Sequence, residues 1–185
     1  MIGTSIDRVS AAATQVPQIR HDVVCAMQCD ARILITGMSA RGTQALAQMI
    51  HRHGQRAHSP FLKLNCARQP DLVLEARLFG RARHSFDGGA SSSRGLLEQA
   101  HGGTIFLANI GQIGHALQAR LRHFLEHGEI RRVGADIAHA TADVRVISAG
   151  DHRLFAQVDA GTFNPDLYYR LNVMHLVMPP VARRR

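Results

Sequence analysis

The sequence predicts an α/β fold built on a mainly parallel sheet. Short apolar runs typical of buried strands alternate with stretches whose apolar residues recur at helical spacing. A loop bounded by Gly37 and Gly42 separates the first of these runs from an amphipathic stretch. Because the chain has 185 residues and 45% hydrophobic content, it is long enough for one domain with a substantial core.

The first third of the chain predicts helices before and after a strand. Residues 1–28 have apolar side chains at roughly helical spacing interrupted by Pro17, which predicts two short helices. The run Ile33–Thr36 is apolar on both faces, as a central parallel strand is. Residues 43–53 then predict a helix. Its expected inward residues are Leu46, Met49 and Ile50.

The middle of the chain predicts a second strand, two short helices and a loop. Phe61–Asn65 alternates as a strand does, and Asp71–Phe79 predicts a helix with Asp71 as its N-cap. Residues 80–94 are rich in Gly, Ser and Arg, which predicts a surface loop. Residues 96–100 predict a short helix, ended by two glycines.

The remainder predicts three further strands and two helices. Apolar runs predict strands over residues 104–107, 144–149 and 173–178, and we expect no charge to be buried in them. The predicted helices cover residues 116–127 and 166–171. The longer one is amphipathic, and its apolar residues are Ala116, Leu117, Leu121, Phe124 and Leu125. Residues 129–133 predict a hairpin arm that pairs near Ile137.

The glycine-bounded loop has the outline of a P-loop, G-x-x-x-x-G-K-[ST], whose backbone N–H groups wrap nucleotide phosphates. The candidate nucleotide-binding residues are Gly37, Met38, Ser39, Ala40, Arg41, Gly42, Thr43 and Gln44. Thr43 stands at the lysine position, and the chain's only lysine, Lys63, lies on another predicted strand. A hydroxyl cannot neutralise the outer phosphates, so we expect ATP binding to be weak or absent.

Several stretches in one order carry a family resemblance. They are FLKLNCA (61–67), ARLFG (76–80), GGTIFL (102–107), ALQARLRHFLEHGEIRRVG (116–134), DVRVISA (143–149) and DLYYRLNV (166–173). From about residue 2 to residue 183, the chain resembles the AAA+ core of the sigma-54-dependent transcription activators, the bacterial enhancer-binding proteins. The resemblance implies a P-loop NTPase-type three-layer sandwich, with a helical lead-in (1–30), an α/β core (31–180) and a basic tail (181–185). We expect the α/β subdomain alone, without the helical lid, a receiver domain or a helix-turn-helix.

Members of that family act as ATP-driven rings that remodel sigma-54-bound RNA polymerase, and the resemblance assigns positions to each step. The Walker B carboxylates, which hold Mg²⁺ and activate water, align with Ala108 and Asn109, so we expect Mg²⁺ binding to be lost. Asn65 matches a retained switch asparagine, although a strand-end cap explains it equally well. The two trans-acting arginines align with Asn164 and Arg170, and we expect Arg170 to pair with an acidic group.

Two further positions depart from the family pattern. The sensor segment after the strand at residues 144–149 reads Gly150-Asp151. The sigma-54 contact loop aligns with His84, Ser85, Phe86, Asp87, Gly88 and Gly89. A carboxylate at Asp87 is expected to impair productive contact with the polymerase, because the loop presents a small, mostly uncharged tip.

Composition sets outer limits on function. Lys+Arg 22 against Asp+Glu 14 gives a net charge of +8, which suits a nucleic-acid or acidic partner, although a solvated arginine-rich surface explains it as well. The three cysteines do not predict a disulfide framework, and no signal peptide or membrane span is evident, so we expect a cytoplasmic protein. His21, Cys25 and Cys29 could share a helix face; we favour a half-buried face over a metal site.

These observations leave three hypotheses for function. The first is a non-catalytic regulatory or interaction module, whose partner is an intact AAA+ relative or the sigma-54 RNA polymerase holoenzyme. The second is a working ATP-binding activator domain, and the third is a gene remnant without selected function. A basic nucleic-acid binder acting alone is less favoured, because its arginines fall in a predicted loop and tail.

Overall fold

The computed structural model describes residues 17–37, 40–82, 92–135, 137–138 and 140–178. The strands in chain order are β1 Ile33–Thr36, β2 Phe61–Asn65, β3 Gly80–Arg81, β4 Ser93–Arg94, β5 Thr104–Ala108, β6 Glu129–Ile130, β7 Ala140–Thr141, β8 Arg145–Gly150 and β9 Met174–Val177. Five of them form one sheet in the order β2-β5-β8-β1-β9, and every neighbouring pair is parallel. The predicted α/β fold with a mainly parallel sheet is confirmed.

Helices cover both faces of this sheet. In chain order they are α1 Pro17–Gln28, α2 Ala40–Arg52, α3 Asp71–Phe79, α4 Leu96–Gln99, α5 His115–His127, α6 Leu154–Asp159 and α7 Pro165–Leu171, with a 3₁₀ turn at Ile110–Gln112. Side chains alternate across each strand, so Ile33 and Ile35 pack with α1 and α2 while Leu34 packs with the other helices. The result is a three-layer sandwich with one apolar cluster on each side of the sheet.

One sequence prediction failed at a helix. Asp71 is not the N-cap of its own helix: Pro70 occupies that position, and Asp71 Oδ1 instead accepts a hydrogen bond from Gly114 N (3.1 Å) at the start of α5. Ala116 is exposed although it is apolar, because α5 turns Leu117 and Gln118 toward the core. The six-residue helix α6 was not predicted, since it buries only Leu154 and so shows no readable periodicity.

The two ends of the predicted surface loop at residues 80–94 form short strands. Gly80 pairs with Arg94 and Arg81 with Ser93 in an antiparallel ladder. Gly80 O and Ala82 N also bond Val133, so residue 133 of the predicted hairpin arm pairs with this segment. The arm's other partner is β7, which begins three residues after Ile137 and so lies in the predicted region, although the Ile137 side chain itself is exposed.

One charge is buried in the sheet, contrary to expectation. The Arg145 side chain is 1% exposed, and its guanidinium donates to Ala26 O (2.6 Å) and Ala31 O (3.2 Å) at the end of α1. Burial lowers the pKa of Arg145, an effect that the Asp30 carboxylate at 3.9 Å opposes. Hydrogen bonds to otherwise unpaired carbonyls explain why the charge is tolerated inside.

Arg56 also contacts Asp30 and extends the hydrogen-bond network around Arg145. Its guanidinium donates to both Asp30 carboxylate oxygens, to Asp143 Oδ1 (2.9 Å) and to the carbonyls of Gly103 and Asp143. The hydrogen bonds that Arg56 donates to Asp30 raise the pKa of Arg56 despite partial burial. These contacts tie α1, β5 and β8 together at the amino ends of the strands.

The longest helices among the described residues have 13 residues. About 20 consecutive apolar residues are needed to cross a bilayer. No helix in the described part of the chain therefore qualifies as a membrane span.

Candidate functional site

A cleft of about 300 Å³ opens where the carboxyl ends of β1, β5 and β8 meet. In open α/β sheets this edge is where ligands bind. Its lining residues are Gly37, Thr43, Ala108, Asn109, Ala149, Gly150, Asp151 and His152. We call it the strand-end cleft.

Gly37 carries the chain from β1 toward α2 in a conformation that requires glycine. Its φ is +94°, and a Cβ at this position would lie 2.0 Å from Met178 O. Met178 N also donates to Thr36 O (2.8 Å), so the start of the loop is held against the segment that follows β9. Met38 and Ser39 of the predicted P-loop lie outside the described residues.

The remaining P-loop residues form the first turn of α2, which begins at Ala40. The Thr43 side chain is 4% exposed and lines the cleft, whereas Arg41 is exposed and does not. Gln44 lines a neighbouring cleft instead. The amino end of a 13-residue helix therefore faces the cleft, with a hydroxyl where a P-loop has an ammonium.

At the end of β5 the two substituted positions are joined to Asn65. Asn109 adopts a left-handed conformation (φ 56°), and its Nδ2 donates to Asn65 Oδ1 at 2.7 Å. The same Asn65 oxygen accepts from Ala67 N (3.0 Å) and thereby caps the turn after β2. Ala108 contributes only a methyl group to the cleft.

The ionisable groups of the strand-end cleft follow β8. Among the described residues that line it, only Asp151 and His152 are ionisable, and both side chains are largely exposed. His152 Nδ1 contacts Asp151 Oδ1, which also accepts from Arg153 N (3.2 Å). Sequence reasoning missed His152, because nothing in its local pattern distinguishes it from a loop histidine.

The two positions aligned with trans-acting arginines have contacts within the chain. Asn164 is the N-cap of α7, with Oδ1 accepting from Leu167 N (2.9 Å). Arg170 forms an ion pair with Glu126 of α5 at 3.0 Å. Buried Gln118 holds the loop before α7 by accepting from Asn164 N (2.7 Å), a role that its polar character at an inward helical position could have signalled.

Two further sequence-predicted sites have limited structural support. The contact-loop residues 84–89 lie outside the described residues. On α1, Cys25 Sγ lies 3.5 Å from His21 Nε2, and Cys25 and Cys29 are both half-buried free thiols. Across the described ranges, no three His, Cys, Asp or Glu residues are grouped so as to hold a metal ion.

Comparison with known proteins identifies the sequence family. The family model described as "Sigma-54 interaction domain" matches residues 9–177. Regulatory protein AtoC of Escherichia coli (strain K12) is 43% identical over 157 residues, which cover 84% of this chain and 33% of AtoC. A Nif-specific regulatory protein of Azotobacter vinelandii is 42% identical over 82% of this chain and 29% of its own length. The chain thus spans about a third of the curated relatives it matches.

A solved structure supports the same assignment at the level of the fold. NtrX from Brucella abortus in complex with ATP superposes with a TM-score of 0.78 at 31% identity, covering 88% of this chain and 34% of NtrX. The sandwich described above is therefore the AAA+ P-loop NTPase fold.

Proposed function

Because this chain belongs to the Sigma-54 interaction domain family, we propose that it acts in transcription regulation as a non-catalytic module that does not hydrolyse ATP. The family assignment supports the proposed role in regulation. The residues that line the strand-end cleft support the proposed absence of hydrolysis.

The strand-end cleft has neither charge at the positions where phosphoryl transfer requires it, because the carboxylate among its described lining residues, Asp151, follows β8 rather than β5. A lysine ammonium neutralises the outer phosphates in P-loop enzymes, and Thr43 has only a hydroxyl. Mg²⁺ prefers carboxylate oxygens, and Ala108 offers none. The amide of Asn109 cannot act as a general base, and its Nδ2 is engaged by Asn65. The residues present do not fit the Mg²⁺-nucleotide of a working ATPase.

The arginine positions support the same proposal. An amide at Asn164 cannot supply charge to a phosphate across a ring interface, and this side chain is occupied as a helix cap. The Arg170 guanidinium is bound to Glu126 of its own chain. A subunit with these contacts would enter a ring without contributing to its neighbour's hydrolysis.

We propose that an intact AAA+ relative, or the sigma-54 RNA polymerase holoenzyme, is the partner of this module. The retained AAA+ sandwich supports this proposal, because a chain with the same fold could associate with an intact relative without contributing to hydrolysis. A mixed assembly would then hydrolyse ATP more slowly than one made of intact subunits alone.

Nucleotide binding without hydrolysis is the second candidate, and the shape of the loop favours it. Gly37 and the amino end of α2 keep the backbone geometry that cradles phosphates, and the similar NtrX has been crystallised in complex with ATP. Weak binding of the phosphates by backbone N–H groups alone would suit a structural or sensing role.

Calorimetric titration tests both candidates. Wild-type protein is titrated with ATP and with a non-hydrolysable analogue, with and without Mg²⁺, beside Thr43→Lys. We expect no binding by the wild type and measurable binding by Thr43→Lys, since the substitution restores the ammonium. Binding by the wild type without turnover supports the second candidate, and steady ATP hydrolysis by the wild type refutes the proposal.

A hydrolysis assay distinguishes nucleotide binding, which requires the ammonium, from turnover, which also requires the carboxylates. The triple variant Thr43→Lys, Ala108→Asp, Asn109→Glu restores the ammonium and both carboxylates, and we expect it alone to gain turnover. Thr43→Lys is its matched control, because it binds nucleotide but lacks the carboxylates. Equal turnover in the two variants would contradict the roles assigned to residues 108 and 109.

A further inference from the structure

A second cleft, of about 270 Å³, lies on the other side of Ala108 and Asn109 from the strand-end cleft. Polar side chains from α2, β2, α3 and the loops after β2 and β5 converge on it. The polar residues that line it are Gln44, Lys63, Asn65, Gln69, Arg77 and Asn109. We call it the basic cleft, because among the described residues lining it two are cationic and none is acidic.

We propose that the basic cleft binds a small phosphate-type anion through Lys63 and Arg77. This site goes beyond the proposed function, since it does not require nucleotide in the strand-end cleft. Its volume is slightly below the range of about 300–1,000 Å³ typical of drug-sized ligands, which suits a small anion.

Arg77 is oriented toward the cleft by a chain of hydrogen bonds. Its Nη1 donates to Gln69 Oε1 at 2.9 Å, and Gln69 Nε2 donates to Asn65 O at 2.9 Å. No other acceptor among the described residues engages its guanidinium. The remaining N–H donors are available in the planar arrangement that matches a phosphate or carboxylate.

Lys63 supplies the second charge from the adjoining edge of the sheet. It lies on β2, one of the two edge strands of the five-stranded sheet, opposite Phe106 of β5. Within the described residues its ammonium forms neither an ion pair nor a hydrogen bond. Neither Lys63 nor Arg77 has a carboxylate partner among the described residues, in contrast to Arg56 and Arg120, so a bound anion would supply their counter-charge.

The amides complete a surface suited to an anion. The Asn109 and Gln69 side chains are fixed by their bonds to Asn65, and Gln44 adds a further amide at the wall shared with α2. These amide N–H groups are uncharged hydrogen-bond donors. They can replace part of the water that an anion loses on binding, and they do not repel the anion. Because both cations are solvent-exposed, we expect a dissociation constant of about 1 mM, as for two charge-assisted contacts.

Calorimetry with inorganic phosphate and pyrophosphate tests this site in the full chain. We expect saturable binding by the wild type and roughly tenfold weaker binding for Lys63→Met and for Arg77→Met. Arg52→Met is the matched control: it removes one exposed arginine from the end of α2, outside the basic cleft, and is expected to bind as the wild type does. Unchanged melting temperatures establish that the variants are folded.

The same titrations with ATP, made in the Thr43→Lys variant that is expected to bind nucleotide, identify the source of the phosphate. Weakening of that ATP binding when Lys63→Met or Arg77→Met is added identifies the terminal phosphate of a nucleotide as the occupant. Binding of the free anions alone identifies an independent site. The proposal is overturned if phosphorus NMR and calorimetry detect no binding to the wild type, or if Arg52→Met weakens binding as much as the cleft variants do.

Discussion

Replacing Arg145 by Met tests whether a buried charge stabilises this sheet. The substitution removes the hydrogen bonds to Ala26 O and Ala31 O, each worth about 1.5–3 kcal/mol when the donor is charged. It also relieves the desolvation of the guanidinium, which opposes that loss. Asp30 keeps its hydrogen bonds from Arg56, so no acid is left without a partner.

The balance predicts a decrease of about 3 kcal/mol in the free energy of unfolding, because two carbonyls are left buried without donors. For a domain of this size that corresponds to a melting temperature lower by roughly 6–12 °C. Urea unfolding followed by circular dichroism measures the change as a lower midpoint at constant slope.

Two controls sharpen this measurement. Arg145→Lys keeps the charge but not the planar fork, and we expect an intermediate loss. Arg52→Met removes an exposed arginine and should change stability by less than about 0.5 kcal/mol. If Arg145→Met were as stable as the wild type, the desolvation cost would equal the hydrogen-bond gain, and Arg145 would not stabilise the fold.

Three further predictions concern titration, thiol reactivity and helix capping. Burial lowers the pKa of His51 below its ordinary 6.5, so the unfolded chain binds the proton more readily than the folded chain does. Stability should therefore fall as the pH drops below about 6.5. In urea midpoints measured from pH 7 to 5, His51→Gln should show a weaker dependence on pH. Burial, with a smaller contribution from a nearby carboxylate, raises the pKa of the Cys66 thiol to about 12. A thiol reagent at pH 8 should therefore label Cys25 and Cys29 in native protein and Cys66 only after denaturation, and labelling of three thiols without denaturant would contradict this. Asn164→Ala should cost about 1 kcal/mol in urea unfolding while Asn164→Asp costs little, and equal losses would exclude a capping role.

Local pattern was sufficient to predict most of the sheet. β1 and β2 have the predicted bounds, because short apolar runs between turn residues leave few alternatives. Arg145 was missed because it interrupts an apolar run by only one residue. The carbonyls that accept its hydrogen bonds are more than a hundred positions away in the sequence. When a buried polar side chain forms its hydrogen bonds with residues that are distant in the sequence, the residues around it give no indication of those bonds.

The candidate site was predictable to the extent that sheet topology dictates it. Loops at the carboxyl ends of adjacent parallel strands meet, so Thr43 and Asn109 line one cleft. The sequence does not predict the basic cleft, because Lys63 and Arg77 belong to two separate elements, a strand and a helix. Only packing of α3 beside β2 brings these two cations to one cavity. The functional roles of the substituted residues remain predictions.

The position of β1 in the sheet has a consequence for synthesis of the chain. β1 is complete before residue 40, but its two neighbours, β8 and β9, begin at residues 145 and 174. At roughly 5–20 residues per second, the ribosome would need about 7–30 seconds to produce both partners. Until β8 is synthesised, the nascent chain carries an apolar strand with neither edge paired, and the edge that pairs with β9 stays open for the whole interval. Chaperone demand during translation should therefore be set by the distance between β1 and its partners rather than by the stability of the finished fold.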